Sequence, residues 1–149
     1  MTWVVTGSTA RRLLGASREP RDLDLEVAED HADAAAAALG IGLPPAAGGG
    51  VSSRRGGGEV GGVEVDVSAG VEVRGPGGVL ARTGDALRDG AVPVRLGGRT
   101  VWCGAPEEGL VRALVAGDWA RLEKIASGGG RRRGWTTWRG GSPPRWPPR

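Results

Sequence analysis

The chain contains no phenylalanine and no tyrosine, and only one cysteine, one methionine and one histidine in 149 residues. Without phenylalanine or tyrosine, any core must be filled by valine, leucine, isoleucine and alanine. The lone Cys103 excludes an intramolecular disulfide framework and fits a reducing compartment. Its setting, "VWCGAP", reads as a buried thiol near a strand end rather than a nucleophile. His31 falls in the first turn of an alanine-rich segment with no partner nearby in sequence, which leaves little basis for imidazole catalysis. No run approaches the roughly 18 apolar residues of a membrane span. The opening "MTWVVTG" lacks the charged and long apolar regions of a signal peptide, so the expectation is a cytoplasmic chain without a membrane partner.

Glycine, by contrast, is in excess, with 29 residues against an average usage of about 7%. Much of it lies in runs that cannot pack, so the core should be smaller than the length suggests. The net charge of +3 is unevenly placed: the segment 127–149 has six arginines and no acids, which leaves the remainder with 14 basic and 17 acidic residues. The expected organisation is a folded domain over 1–126 and a disordered basic tail over 127–149 rich in Arg, Trp and Pro. Arg131 to Arg133, Trp135, Trp138, Arg139, Arg145 and Trp146 could grip RNA through charge and stacking. The alternative is a solvating appendage.

Along the folded part, Trp3 to Thr6 reads as a short buried strand ended by Gly7. Ser8 or Thr9 can cap a short helix in which Ala10, Leu13 and Leu14 share a face. Asp22 to Val27 alternates strictly, with Leu23, Leu25 and Val27 on one face and Asp22, Asp24 and Glu26 on the other, the pattern of a half-buried strand. A helix follows over "AEDHADAAAAALG". The stretch from Gly40 to Gly62 is too rich in Gly and Pro to be regular, and reads as a mobile loop or a loose hairpin. Alternation returns in "GVEVDVSAGVEV". "AVPVRLGGRTVWCG" has the form of a hairpin turning at Gly97 and Gly98. Two helical pieces close the domain from Pro106, with Asp118 placed to cap the second.

Like charges about 7 Å apart on one strand face repel by roughly 0.6 kcal/mol in water and about 2.4 kcal/mol at an effective dielectric near 20. A wet acidic stripe is therefore cheap, whereas the same stripe in a cleft favours a divalent cation or a raised pKa. Gly7 and Ser8 follow a strand and open a helix, presenting backbone N–H groups and a hydroxyl to an anion. Arg11 and Arg12 lie in the same turns, and Arg18 and Arg21 in the loop beyond. Asp66 offers a third carboxylate on a separate valine-rich strand, with Glu64 on the same face as its competitor. Glu26 reads as a solvated strand end. Arg11 could equally bind phosphate or lie on the exposed side of its helix.

"TGS", then thirteen residues, then "DLDL" resembles the signature of the nucleotidyltransferase superfamily that includes DNA polymerase beta, CCA-adding enzymes and aminoglycoside nucleotidyltransferases. "GSTARRLLG" resembles the arginine-bearing form in CCA-adding relatives, and "VEVDV" the later strand with the third carboxylate. "APEEGLVRALVAGDWARL" is similar to a helical stretch of small members, but Ala113 stands at their lysine, with Arg112 beside it, and Asp118 at their arginine. The resemblance implies a minimal α+β nucleotidyltransferase fold, a small mixed sheet with helices packed on one face. It implies catalysis and Mg²⁺ binding by Asp22, Asp24 and Asp66, and nucleotide binding by Gly7, Ser8, Arg11 and Arg21. The implied reaction moves a nucleoside monophosphate from an NTP, ATP being the expected donor, to a hydroxyl on a small molecule, a protein or an RNA end. Two alternatives stand beside it: a catalytically degenerate binding or antitoxin-like protein, and an RNA-binding module acting through the tail.

Overall fold

The computed structural model describes residues 1–17 and 19–128. Arg18 and the arginine- and tryptophan-bearing part of the expected tail lie outside the described residues. Among the described residues, eight strands form one mixed sheet in the order β3 (Pro45–Gly48), β4 (Val51–Val60), β5 (Val63–Gly75), β2 (Leu23–Val27), β1 (Trp3–Val5), β8 (Arg99–Cys103), β7 (Val92–Leu96), with β6 (Gly78–Ala81) paired to β5. β1 (Trp3–Val5) runs antiparallel to β2 (Leu23–Val27) and parallel to β8 (Arg99–Cys103). β2 in turn runs parallel to β5 (Val63–Gly75).

The alternation of β2 and β5 does what its period requires. Val27, Val65, Val67 and Ala69 are buried together against Ala32 and Ala35 of α2 (Ala32–Leu39), with Leu23 and Leu25 packed alongside. Alanine suits the helix side of this contact because small side chains let the helix approach the valine face closely. Gly40 ends α2 in the left-handed conformation. On the same sheet face, Ala10 of α1 (Gly7–Leu13) packs on Val5 and Cys103. Cys103 is fully buried at the end of β8, and burial pushes its thiol pKa up, away from nucleophilic use. Each fully buried Val or Leu here, such as Val67 and Leu87, contributes about 1.5–3 kcal/mol.

Of the two readings of the glycine-rich stretch, the structure takes the hairpin: β3 (Pro45–Gly48) and β4 (Val51–Val60) pair antiparallel, and β4 pairs in turn with β5 through "RRGGGEV". Glycine is required here by crowding: a Cβ on Gly56 would lie 1.9 Å from the Gly42 carbonyl oxygen. The register of β4 on β5 shifts between Ser52 and Arg54, an irregularity that bends the pair. β5 also pairs with β6 (Gly78–Ala81), a hairpin without an obvious alternating signal. The hairpin of β7 (Val92–Leu96) and β8 turns at Gly97 and Gly98 as its sequence indicates.

α3 (Pro106–Ala116) and α4 (Trp119–Gly128) follow, and the Asp118 carboxylate accepts the Arg121 backbone N–H at 3.0 Å, a side-chain cap on α4. Whereas α1 and α2 cover the apolar face, α3 reaches the opposite one, because its Arg112 bonds Glu26, whose side chain points away from Leu25. Glu26 is therefore no solvated strand end: it is 2% exposed. No helix among the described residues is long and apolar enough to cross a membrane.

Candidate active site

Three separate elements bring the expected aspartates together. Asp22 enters from the turn before β2, Asp24 stands on β2, and Asp66 stands on β5 as the register partner of Asp24. One carboxylate oxygen from each lies within 4.8 Å of the others. Parallel pairing places Asp24 and Asp66 side by side, a relation that neither strand's own pattern contains. Glu64, two residues earlier on β5, is exposed and lies outside this group.

β1 ends beside this cluster. The Thr6 N–H donates to the Asp24 carbonyl at 2.9 Å, and the chain then turns into α1 through Gly7 at φ +61°. A Cβ at Gly7 would sit 1.8 Å from Asp24 Oδ2, so glycine is required both by the backbone angle and by the carboxylate beside it. Neither Ser8 nor Thr9 caps α1; the cap position is Thr6, which makes no side-chain cap bond. Their hydroxyls instead fasten the turn before β2: Ser8 Oγ donates to Asp22 Oδ1 at 3.3 Å, and Thr9 Oγ1 to the Asp22 carbonyl at 2.6 Å.

The electrostatics follow from this crowding. Burial raises the pKa of Asp24, and the neighbouring Asp22 and Asp66 raise it further. The Ser8 backbone N–H and the Arg55 guanidinium oppose that rise without cancelling it. A carboxylate whose charge is costly beside two more is a group that gains from a cation. The donors are all hard oxygens, the chemistry that suits Mg²⁺ or Ca²⁺ rather than a thiolate- or imidazole-seeking metal.

The cluster opens into a cleft of about 550 Å³ between α1, β4, β5, α3 and α4. Gly7, Ser8 and Arg11 line one side of it; Arg21 is exposed in the loop before β2 and is not part of the lining. Three lining arginines were not singled out as site residues from sequence. Arg55 on β4 reaches to 3.9 Å from Asp66 Oδ2, and Arg121 on α4 also faces the cleft. Arg112 on α3 bonds both Glu26 and Glu108, and Arg82 bonds Glu108 at 3.2 Å. Burial works against the Arg112 charge, but the two carboxylates outweigh it and raise its pKa. The signal for Arg55 was present as "SSRRGGGEV", but only pairing with β5 turns Arg55 toward Asp66 while Arg54 turns to Asp33 and the Leu43 carbonyl.

No protein-family model matches the chain, and no curated protein matches it by sequence. A solved structure does. The chain is similar to a Thermotoga maritima protein described as "a putative nucleotidyltransferase", with a TM-score of 0.67 and 20% identity over 84% of this chain and 80% of that one. At that identity the likeness is one of fold, and the fold of this chain is nucleotidyltransferase-like.

Proposed function

We propose that the protein is a Mg²⁺-dependent nucleotidyltransferase that transfers a nucleoside monophosphate from an NTP to a hydroxyl acceptor and releases pyrophosphate. The observation that carries this reading is the convergence of Asp22, Asp24 and Asp66 within 4.8 Å, beside a glycine that holds the backbone against them. The nucleotidyltransferase-like fold supports it.

The three aspartates are the residues that would hold Mg²⁺, which when bound would offset the phosphate charge and stabilise an in-line displacement. Backbone N–H groups at Gly7 and Ser8, with Arg11, take the outer phosphates of the donor, ATP being the expected one, and Arg21 adds positive charge in the loop leading into β2. Asp66 lies on the β4 side of the cluster, so its carboxylate is the one placed to accept the proton of an incoming hydroxyl. That oxygen attacks the α-phosphorus, the bond from phosphorus to the bridging oxygen breaks, and pyrophosphate leaves.

The test is a panel of α-labelled NTPs offered with Mg²⁺ to RNA, candidate proteins and sugar alcohols. Label on an acceptor, lost on chelation with EDTA, is the expected result. Label on none of them, with RNA affinity that disappears on deleting residues 127–149, would instead favour an RNA-binding protein acting through its basic tail.

A further inference from the structure

The acceptor side of this cleft has a charge of its own. Its lining carboxylates are the three aspartates and Glu108, and Glu108 is taken up by Arg112 and Arg82. Its lining cations are Arg11, Arg55, Arg112 and Arg121. With Arg112 committed to Glu26 and Glu108, and Arg11 on the donor wall, Arg55 and Arg121 are the lining cations left for an acceptor. Among the described residues that line the cleft, no carboxylate outside the aspartate cluster is left to hold a cationic acceptor.

β4 shapes that entrance. Gly57 is the register partner of Asp66, and a Cβ there would lie 2.6 Å from Asp66 Oδ1, so the strand is bare where the carboxylate must be reached. Arg55, two residues away, stands on the same face of β4, roughly 7 Å along the strand. Its guanidinium is 3.9 Å from Asp66 Oδ2, beyond hydrogen-bond length, and its side chain is 63% exposed, so its donors remain free for a ligand. A molecule that brings a hydroxyl over Gly57 to Asp66 thus sets its next few atoms under Arg55.

From this placement, and resting on the transfer reading above, we infer that the acceptor is anionic: a hydroxyl compound with a phosphate a few bonds from the attacking oxygen, held by Arg55, with Arg121 as a second cation lining the same cleft. A polycationic amino sugar would meet Arg55 at this entrance and find no carboxylate there beyond the three aspartates. The transfer balances as before: the acceptor oxygen bonds the α-phosphorus of the NTP, its proton passes to Asp66, and pyrophosphate departs.

The test uses the full chain with Mg²⁺ and α-labelled ATP against glycerol, glycerol 3-phosphate, a 3′-hydroxyl oligoribonucleotide and kanamycin. Label on glycerol 3-phosphate points to a small acceptor, and label on the oligonucleotide alone to a polymer; both support an anionic acceptor. Preferential label on glycerol or kanamycin overturns it while leaving the transfer reading intact. Arg55→Ala should raise KM for the labelled acceptor about tenfold, with kcat changed less than about threefold, and Arg55→Lys should recover part of the loss. An unchanged KM in Arg55→Ala overturns the inference. Calorimetric titration of glycerol 3-phosphate, or of the oligoribonucleotide where that alone is labelled, into the protein with Mg²⁺ and a non-hydrolysable ATP analogue separates the two readings. Binding lost in Arg55→Ala supports the anion site even if nothing is labelled, a result that would count against transfer alone. Binding equal in the variant and the wild type, or absent from both, removes the anion site.

Discussion

Two acidic groups share one face of one strand, and they are treated in opposite ways. Asp24 and Glu26 are neighbours on that face of β2. Burial raises the pKa of both. Around Glu26 the fold supplies its own remedy: Arg112 bonds it directly and, with Arg82, bonds Glu108, so the charges of this buried group are balanced from within. Around Asp24 it supplies more of the problem, in the form of Asp22 and Asp66. The compensated group ties α3 to the sheet and serves the fold. Asp24, which the Ser8 N–H and Arg55 compensate only in part, is left for a charge from outside, and that contrast, more than the count of acids, marks the candidate site.

The largest separation between the two groups should appear in activity. Asp22→Asn and Asp24→Asn should each lower labelled transfer by about a thousandfold or more, the loss of several kcal/mol of charge stabilisation, with the far-ultraviolet circular dichroism unchanged.

In stability the order reverses. Arg112→Ala strands Glu26 and leaves Glu108 to Arg82 alone, and should cost about 3–5 kcal/mol, a fall in Tm of about 10 °C or more by thermal melting. Replacing the pair together, as Glu26→Leu with Arg112→Met, should recover most of that loss, since apolar residues of similar volume often match a buried ion pair.

Gly7→Ala touches the site through its backbone. The left-handed angle alone costs about 1–2 kcal/mol. The new Cβ must also displace the Asp24 carboxylate, so transfer should fall by about 10–100-fold, measured as initial rates.

The smallest effect concerns the pH dependence of stability. Burial and the neighbouring Asp22 and Asp66 hold the folded pKa of Asp24 above the usual carboxylate range, so the folded protein holds this proton more tightly than the unfolded chain does. Stability is therefore lost as pH rises through that window and stays lower above the folded pKa. Asp24→Asn should match the wild type below the window and exceed it above, by no more than about 3 °C in Tm for so accessible a group. Added Mg²⁺ should close the gap by stabilising the wild type selectively.

Much of the fold could be read from local pattern. The alternation in β2 and β5, the Gly97-Gly98 turn and the Asp118 cap are properties of short segments, and they form where the pattern places them. The glycine-rich stretch was harder because strand formation there comes from neighbours: a residue without a side chain has no pattern to show, and the close approach of Gly42 to Gly56 is visible only after folding. Glu26 was misread for a related reason. Its alternation with Leu25 states which face it takes, but not that α3 would cover that face and bring Arg112 onto it.

The sequence alone determined which residues could share a face, because that depends on a backbone period of two and on nothing distant. It also determined the spacing that puts a glycine turn and paired aspartates at neighbouring strand ends. Which strands lie side by side was decided by tertiary structure, and with it the meeting of Asp24 and Asp66, the turning of Arg55 toward the cleft and the neutralising of Glu26. Those are relations between residues 11 (Arg55 and Asp66), 42 (Asp24 and Asp66) and 86 (Glu26 and Arg112) positions apart, set by strand pairing and the burial of valine and alanine faces, and no local period encodes them.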